Sequence, residues 1–243
     1  MKKQLDAQWL TFDKADFIKN DPIQIVHEMK SKSDKISDIE ICAILTAMVS
    51  WGQRTMIIKA ARNLMDKCNW NPTEYIVYGD CYDIDDNENV YRTLKGKQFR
   101  EVCHNLRLFY SKHLSIYDEL HNGDNVTLEQ LMTLLCNWMA PARLGSPERN
   151  SACKRINMLL RWMVRKDEID LGLWQTPQIQ PANLYAIMDT HVVQEATRRG
   201  LISYSKESWK AVMELTDVYR CWDSVDPLKY DFVLMYNSLS TKK

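Results

Sequence analysis

Two side chains that could do chemistry stand out by their positions: the amine of Lys154 and the carboxylate of Asp189. In the stretch AIMDTHVVQEATRRG, residues 186–200, Asp189 opens what reads as an amphipathic helix closed by two arginines and a glycine. An aspartate there is a natural N-cap, because its side chain accepts backbone N–H bonds and stays ionised. Lys154 lies near the start of SACKRINMLLRWMVRK, residues 151–166. With Ser151 as the N-cap, Lys154 falls in the first turn, where the helix dipole opposes a cation by a few tenths to about 1 kcal/mol. The same field, reinforced by Arg155 and the arginines nearby, favours the neutral amine, which is the nucleophilic form. An ordinary lysine titrates at about 10.4, and a reactive one must fall toward about 7–8. The plain alternatives are a mobile surface lysine and a helix cap with no further role. The two residues do chemistry together only if they meet across a cleft.

The helix that carries Lys154 has a clear apolar face. Ile156, Leu159, Leu160, Met163 and Val164 recur at i, i+3, i+4, i+7 and i+8. Projected at about 100° per residue, Lys154, Met158, Arg161 and Arg165 share the opposite arc. The expectation is a lysine and two arginines aligned toward solvent or an anionic ligand. From Arg143 to Lys166 there are seven basic residues against one acid, Glu148, in a chain whose net charge is zero. A solvated helix face and a phosphate-binding face both explain that contrast.

The elements that must position these residues repeat almost everywhere at helical spacing. DIEICAILTAMVS, residues 38–50, is apolar nearly all round and reads as a central buried helix. TMIIKAARNLMDKC follows after WGQR, and KQFREVCHNLRLFYSKH and TLEQLMTLLCNWMA read as two more helices. Thr127 and Gln130 stand at capping-box spacing. A helix is expected after Ser205, and another with Asp226 as N-cap and Pro227 at its first position. Residues 80–88, 166–182 and the run APARLGSPERNS read as loops. No alternating strand pairs with turn dipeptides are visible, so the expected class is all-α. A single unit of 243 residues is expected, and two helical lobes around a cleft suit the order of elements, though no composition shift marks a boundary.

Bulk composition narrows the function classes. Apolar residues at 45% and charged residues at 26% fit a folded globular chain. Only 7 glycines argue against turn-rich β folds and Gly-rich phosphate loops. The 7 cysteines are widely spaced and form no CxxC pair, which argues against a disulfide framework or a zinc site. The mixed-charge N-terminus has no signal-peptide core and no apolar run reaches membrane-spanning length, so a soluble cytoplasmic protein without a membrane partner is expected.

Three short patterns follow in order: SWGQRT, with Ser50, Gln53 and Thr55; KRINMLL, with Lys154, Asn157 and Leu160; and MDTHV, with Asp189, Thr190 and His191. Their order resembles the helix-hairpin-helix superfamily of base-excision DNA glycosylases over roughly residues 38–200. The endonuclease III-like branch is most similar for SWGQRT and MDTHV. The spacing of Lys154 and Arg161 is similar to the type 2 8-oxoguanine DNA glycosylases. The chain as a whole resembles a family of uncharacterised bacterial proteins that share the WGQRT and SACKRINMLLRWMVRKD blocks.

The glycosylase resemblance implies a helical DNA-glycosylase-like fold with a modified helix-hairpin-helix, double-stranded DNA carrying a damaged base as partner, and no cofactor. It implies that Lys154 attacks the sugar C1′ to form a Schiff base, and that Asp189 stabilises positive charge on the sugar. Gln53 would fill the gap left by an extruded nucleotide, and Ser151, Arg155, Arg161 and Arg165 would contact DNA. His191 reads as structural. Trp51, Trp162, Trp174 and Trp222 are candidates both for core packing and for stacking a flipped base. The chain departs from the superfamily in three respects. Lys154 and Asp189 stand 35 residues apart, wider than the compact family spacing, with the extra residues assigned to the 166–182 loop. LGSPERNSAC lacks the Gly-x-Gly hairpin turn, whose anchoring role would pass to Ser151 and the free amides of the helix start. The C-terminal four-cysteine pattern is missing, so no iron–sulfur cluster is expected. A nucleic-acid-binding protein of the same fold without the chemistry, and a helical protein-interaction protein, are the alternative readings.

Overall fold

The computed structural model describes residues 1–123 and 125–240, with the backbone alone for Asp80, Tyr82, Leu239 and Ser240. The fold is all-α, as expected. In chain order its elements are α1 (Lys2–Leu10), α2 (Lys14–Asn20), α3 (Ile23–Lys32), α4 (Ile36–Val49), α5 (Arg54–Lys67), α6 (Pro72–Val77), β1 (Asn89–Tyr91), β2 (Leu94–Lys95), α7 (Gly96–Tyr110), α8 (Ile116–Asn122), α9 (Leu128–Trp138), α10 (Lys154–Val164), α11 (Thr190–Arg198), α12 (Trp209–Trp222) and α13 (Lys229–Ser240). The antiparallel pair β1–β2 was not expected; its strands have 3 and 2 residues, too few for an alternating pattern to register. No helix among the described residues is long and apolar enough to cross a membrane.

The chain divides into two compact units. One is Ala15–Leu144; the other combines Met1–Lys14 with Gly145–Lys243. In the first, α4 is buried on every side from Ser37 to Val49, as its apolar run requires. Two carboxylates lie on it, and each is hydrogen-bonded, as burial demands. Asp38 accepts from the Thr73 amide at 3.0 Å and the Ser33 hydroxyl at 2.8 Å. Glu40, fully buried, accepts from the Ile116 and Tyr117 amides at 2.8 and 2.7 Å and from the Tyr110 hydroxyl at 3.0 Å. It thereby satisfies orphan N–H groups at the start of α8, 76 residues further along the chain. The Thr127–Gln130 capping box forms as read, with bonds of 2.8 and 3.3 Å.

In the second unit α13 packs against α11 and α1. Trp162, Trp174, Tyr219, Tyr230 and Phe232 are its largest buried side chains. The expected loop 166–182 folds back on the end of α10. Leu171 and Trp174 donate their amides to the Trp162 and Met163 carbonyls at 2.7 and 2.6 Å, which satisfies acceptors the helix leaves open. Two helix starts differ from expectation. α12 begins at Trp209 with Ser208 as cap, several residues after Ser205. α13 begins at Lys229, with Asp226 and Pro227 in the preceding turn, because the Asp226 carboxylate is engaged by Arg165.

Glu40→Ala strands the buried Ile116 amide, the part-buried Tyr117 amide and the buried Tyr110 hydroxyl. The expected cost is roughly 2–4 kcal/mol, read as a lowered midpoint in urea unfolding followed by tryptophan fluorescence.

Candidate active site

Asp189 caps α11 as its sequence position predicts. Its Oδ1 accepts from the His191 and Val192 amides at 3.0 and 2.9 Å. That leaves Oδ2, which faces the Lys154 ammonium at 3.8 Å. The two side chains, 32% and 22% exposed, are within reach of a ligand from solvent. The structure therefore brings together two residues that are 35 positions apart in the chain.

Lys154 is the first residue of α10, within the first turn as expected, but the cap is different. Cys153, not Ser151, occupies the N-cap, in the left-handed conformation at φ 48° and with no side-chain capping bond. The Ser151 hydroxyl instead accepts from the Cys153 amide at 3.3 Å. Gly145 rests against that hydroxyl with φ +79°, so close that a Cβ there would lie 2.3 Å from Ser151 Oγ. Asn157, one turn into α10 and buried, donates its amide to the Ala152 carbonyl at 3.1 Å. These contacts hold the entry to α10 without a Gly-x-Gly turn. Asn150, also left-handed, accepts from the Trp209 and Lys210 amides and ties this loop to the start of α12.

Arg161 and Arg165 correct the sequence expectation. They do not line a surface; they are 5% and 3% exposed, and Met158 on the same arc is buried with them. Arg161 donates through Nε to Asp170 at 3.2 Å and stacks over Phe232 at 4.1 Å. Arg165 forms a two-bond fork with Asp226 at 2.8 and 2.9 Å and also meets Asp170 at 3.0 Å and Asp167 at 2.7 Å. Burial pulls the Arg165 pKa down, but the bond to Asp226 and the charges of Asp170, Asp226 and Asp167 outweigh it and hold it above its ordinary value. A guanidinium so committed is not available to a phosphate. Arg155 is half-buried, and burial lowers its pKa to about 10.

Of the four tryptophans, Trp162 and Trp174 take the core-packing alternative. Trp162 and Trp174 are fully buried, and Trp222 packs edge-on against Tyr230 at 5.2 Å. In the other unit, Trp51 is half-buried with the Arg92 guanidinium 4.4 Å above its ring. Gln53 is exposed at the N-cap of α5, where its side chain makes no capping bond.

The sequence reading missed a second carboxyl beside the pair. Asp231, in the first turn of α13, is buried and accepts from the Ile187 amide at 2.9 Å, two residues before Asp189. Burial raises its pKa to about 7; the Ile187 amide, Arg161 and Tyr219 oppose the rise, and the Asp189 charge adds to it. A lone aspartate on the apolar run of YDFVLMY was the signal available for it.

An all-α protein with a lysine and a capping aspartate paired at the starts of two helices is the class that fold and site define. More particularly, the chain belongs to the family DUF2400, described as proteins of unknown function, whose profile matches residues 21–239. No curated protein and no solved structure matches it.

Arg165→Met leaves Asp170 and Asp226 facing a gap in their charge pairing. The expected loss is roughly 3–5 kcal/mol at neutral pH. Without Arg165, the Asp170 pKa rises further above its unfolded value. That penalty is therefore largest at high pH and shrinks as pH falls and the carboxyls take up protons. Thermal unfolding of variant and wild type at about pH 4 and about pH 8 checks both the size and the sign.

Proposed function

We propose that the chain is a base-excision DNA glycosylase in which Lys154 is the nucleophile and Asp189 its electrostatic partner. One observation carries the reading: Lys154 Nζ lies 3.8 Å from Asp189 Oδ2, with both groups partly open to solvent. The substrate is double-stranded DNA with a damaged base, an oxidised purine being the class to test first. In the proposed reaction the neutral Lys154 amine forms a bond to the sugar C1′ as the bond from C1′ to the base nitrogen breaks. The base leaves with that electron pair. One proton leaves the amine and one reaches the departing base, so the proton count balances. The C1′–O4′ bond then opens with its electron pair leaving on O4′, which takes up the remaining amine proton as a hydroxyl, and the nitrogen lone pair closes the C1′ imine. Asp189 Oδ2 supplies fixed negative charge beside the sugar as positive charge develops there, while Oδ1 stays bound to the α11 amides and keeps the group oriented. Ser151 and the amides at the start of α10 are the proposed phosphate anchor. Arg155 is a proposed DNA contact.

Borohydride reduction tests the reading, because it converts the imine to a stable secondary amine. Wild type with duplex containing an abasic site or 8-oxoguanine is expected to give a covalent adduct. Lys154→Ala, a change at a partly exposed side chain, is expected to give none. Asp189→Asn keeps a good N-cap but not the charge, and is expected to slow base release by about 10²–10³. Absence of any adduct from folded wild type would refute the lysine mechanism.

A second reading draws support from the burial of Arg161 and Arg165, which removes two cations from any phosphate-binding surface. It is a helical binding protein without the chemistry. A steep fall of DNA affinity with salt and no adduct would identify a nucleic-acid binder, and undetectable binding at low salt a protein-interaction role.

A further inference from the structure

Asp231 lies behind Asp189 and takes no part in the reaction proposed above. Its Oδ2 holds the Ile187 amide at 2.9 Å, while its buried Oδ1 makes no well-formed hydrogen bond among the described residues; the Tyr219 hydroxyl, equally without one, is the donor that faces the carboxyl. The groups around it come from every neighbouring helix. From α12 the fully buried Tyr219 hydroxyl faces it, and from α10 Arg161, which is bonded to Asp170 at 3.2 Å. From the cap of α11 comes the Asp189 carboxylate, a like charge. On α1, Asp6 turns instead to Tyr230 at 2.7 Å and Lys229 at 3.8 Å. A fully buried carboxyl with one oxygen poorly satisfied and a like charge nearby is more stable neutral than ionised.

We propose that Asp231 is a proton-holding positioning residue for the Lys154–Asp189 pair. Neutral, it steadies the 187–189 segment through the Ile187 amide and leaves Asp189 as the carboxylate that Lys154 meets. Ionised, it places a second negative charge behind Asp189, which holds Lys154 as the ammonium and slows attack. This rests on the reading of Lys154 as nucleophile, and it predicts a limit on reactivity at high pH where a lone lysine would only gain. Because burial raises the Asp231 pKa to about 7, the site also contributes stability that is full below the unfolded value near 3.8 and is lost as pH rises through about 7.

The test is the rate of borohydride-trapped adduct formation on abasic-site duplex, under single-turnover conditions, from about pH 5.5 to about pH 9. Wild type is expected to level off or fall above about pH 7, while Asp231→Asn continues to rise and is faster at the alkaline end by roughly three- to tenfold. Parallel profiles overturn the proposal. If Asp231→Asn does not fold, Tyr219→Phe replaces it. Loss of the hydroxyl that favours ionised Asp231 is expected to move the break to higher pH, and an unmoved break overturns the proposal. Carbon-13 carboxyl titration separates the two ideas. If wild type forms no adduct, the lysine mechanism fails. A carboxyl that titrates near 7 and is missing from Asp231→Asn then supports the proton-holding role by itself, and its absence overturns that role.

Discussion

The placement of α10 depends on pairing two buried guanidinium groups. A charge taken from water costs several kcal/mol unless geometry and hydrogen bonds return it. Arg161, in the last turn of α10, and Arg165, its C-cap, need acceptors at fixed distances. Asp170 supplies one oxygen to each, at 3.2 and 3.0 Å, and Asp226 completes Arg165 from the turn before α13. Satisfying the arginines therefore requires the 166–172 turn to fold back and α13 to arrive at one orientation. The stack of Arg161 on Phe232 adds the α13 core to the same constraint. With that end of α10 held, its other end is placed as well, and Lys154 is the first residue there.

Asp189 shows how one group serves structure and chemistry without conflict. Its two oxygens point at different partners, one at the α11 amides and one at Lys154. The cap bonds align the carboxylate, which is what a fixed counter-charge needs. Asp231 differs in its surroundings: one amide instead of two, full burial, and a like charge nearby, and burial pushes its pKa up. Two aspartates in adjoining segments thus sit in different environments, the kind of difference that separates acid from base in many sites.

The features legible in the sequence are those that local spacing determines. The buried run of α4, the Thr127 capping box and the Asp189 cap all follow from residues within a few positions of each other. Helical projection also read the apolar face of α10 correctly. It misassigned the opposite arc, because a projection treats a helix as though one side must meet water. Arg161 and Arg165 are covered by acids from positions 167, 170 and 226, and no periodicity within residues 151–166 announces them. Asp226 was open to a simple local reading as an N-cap, and the distant arginine displaced that role. Ser151 lost the cap to Cys153 because the left-handed turn at Cys153 is held from Asn157, inside the helix. The meeting of Lys154 with Asp189 was a long-range inference from an ordered set of motifs.

The charge balance this leaves around Lys154 bears on how a nucleic acid would be held. The excess of base over acid from Arg143 to Lys166 is a count along the chain, and internal ion pairs consume part of it. Arg161 and Arg165 are spent on Asp170, Asp226 and Asp167, and Lys154 itself faces Asp189. Arg143, Arg149, Arg155 and Lys166 remain against Glu148, so the excess that is left is about half the count along the chain, and in the proposed reading it is a modest attraction for phosphate. The paired Lys154 and Asp189 instead suit chemistry in which positive charge appears late, on the sugar, next to a carboxylate already oriented by a helix. Steering and bending of the duplex would then fall to other surfaces. The pair at the helix ends would act only on a nucleotide already turned toward it, where a fixed counter-charge favours the transition state over the ground state.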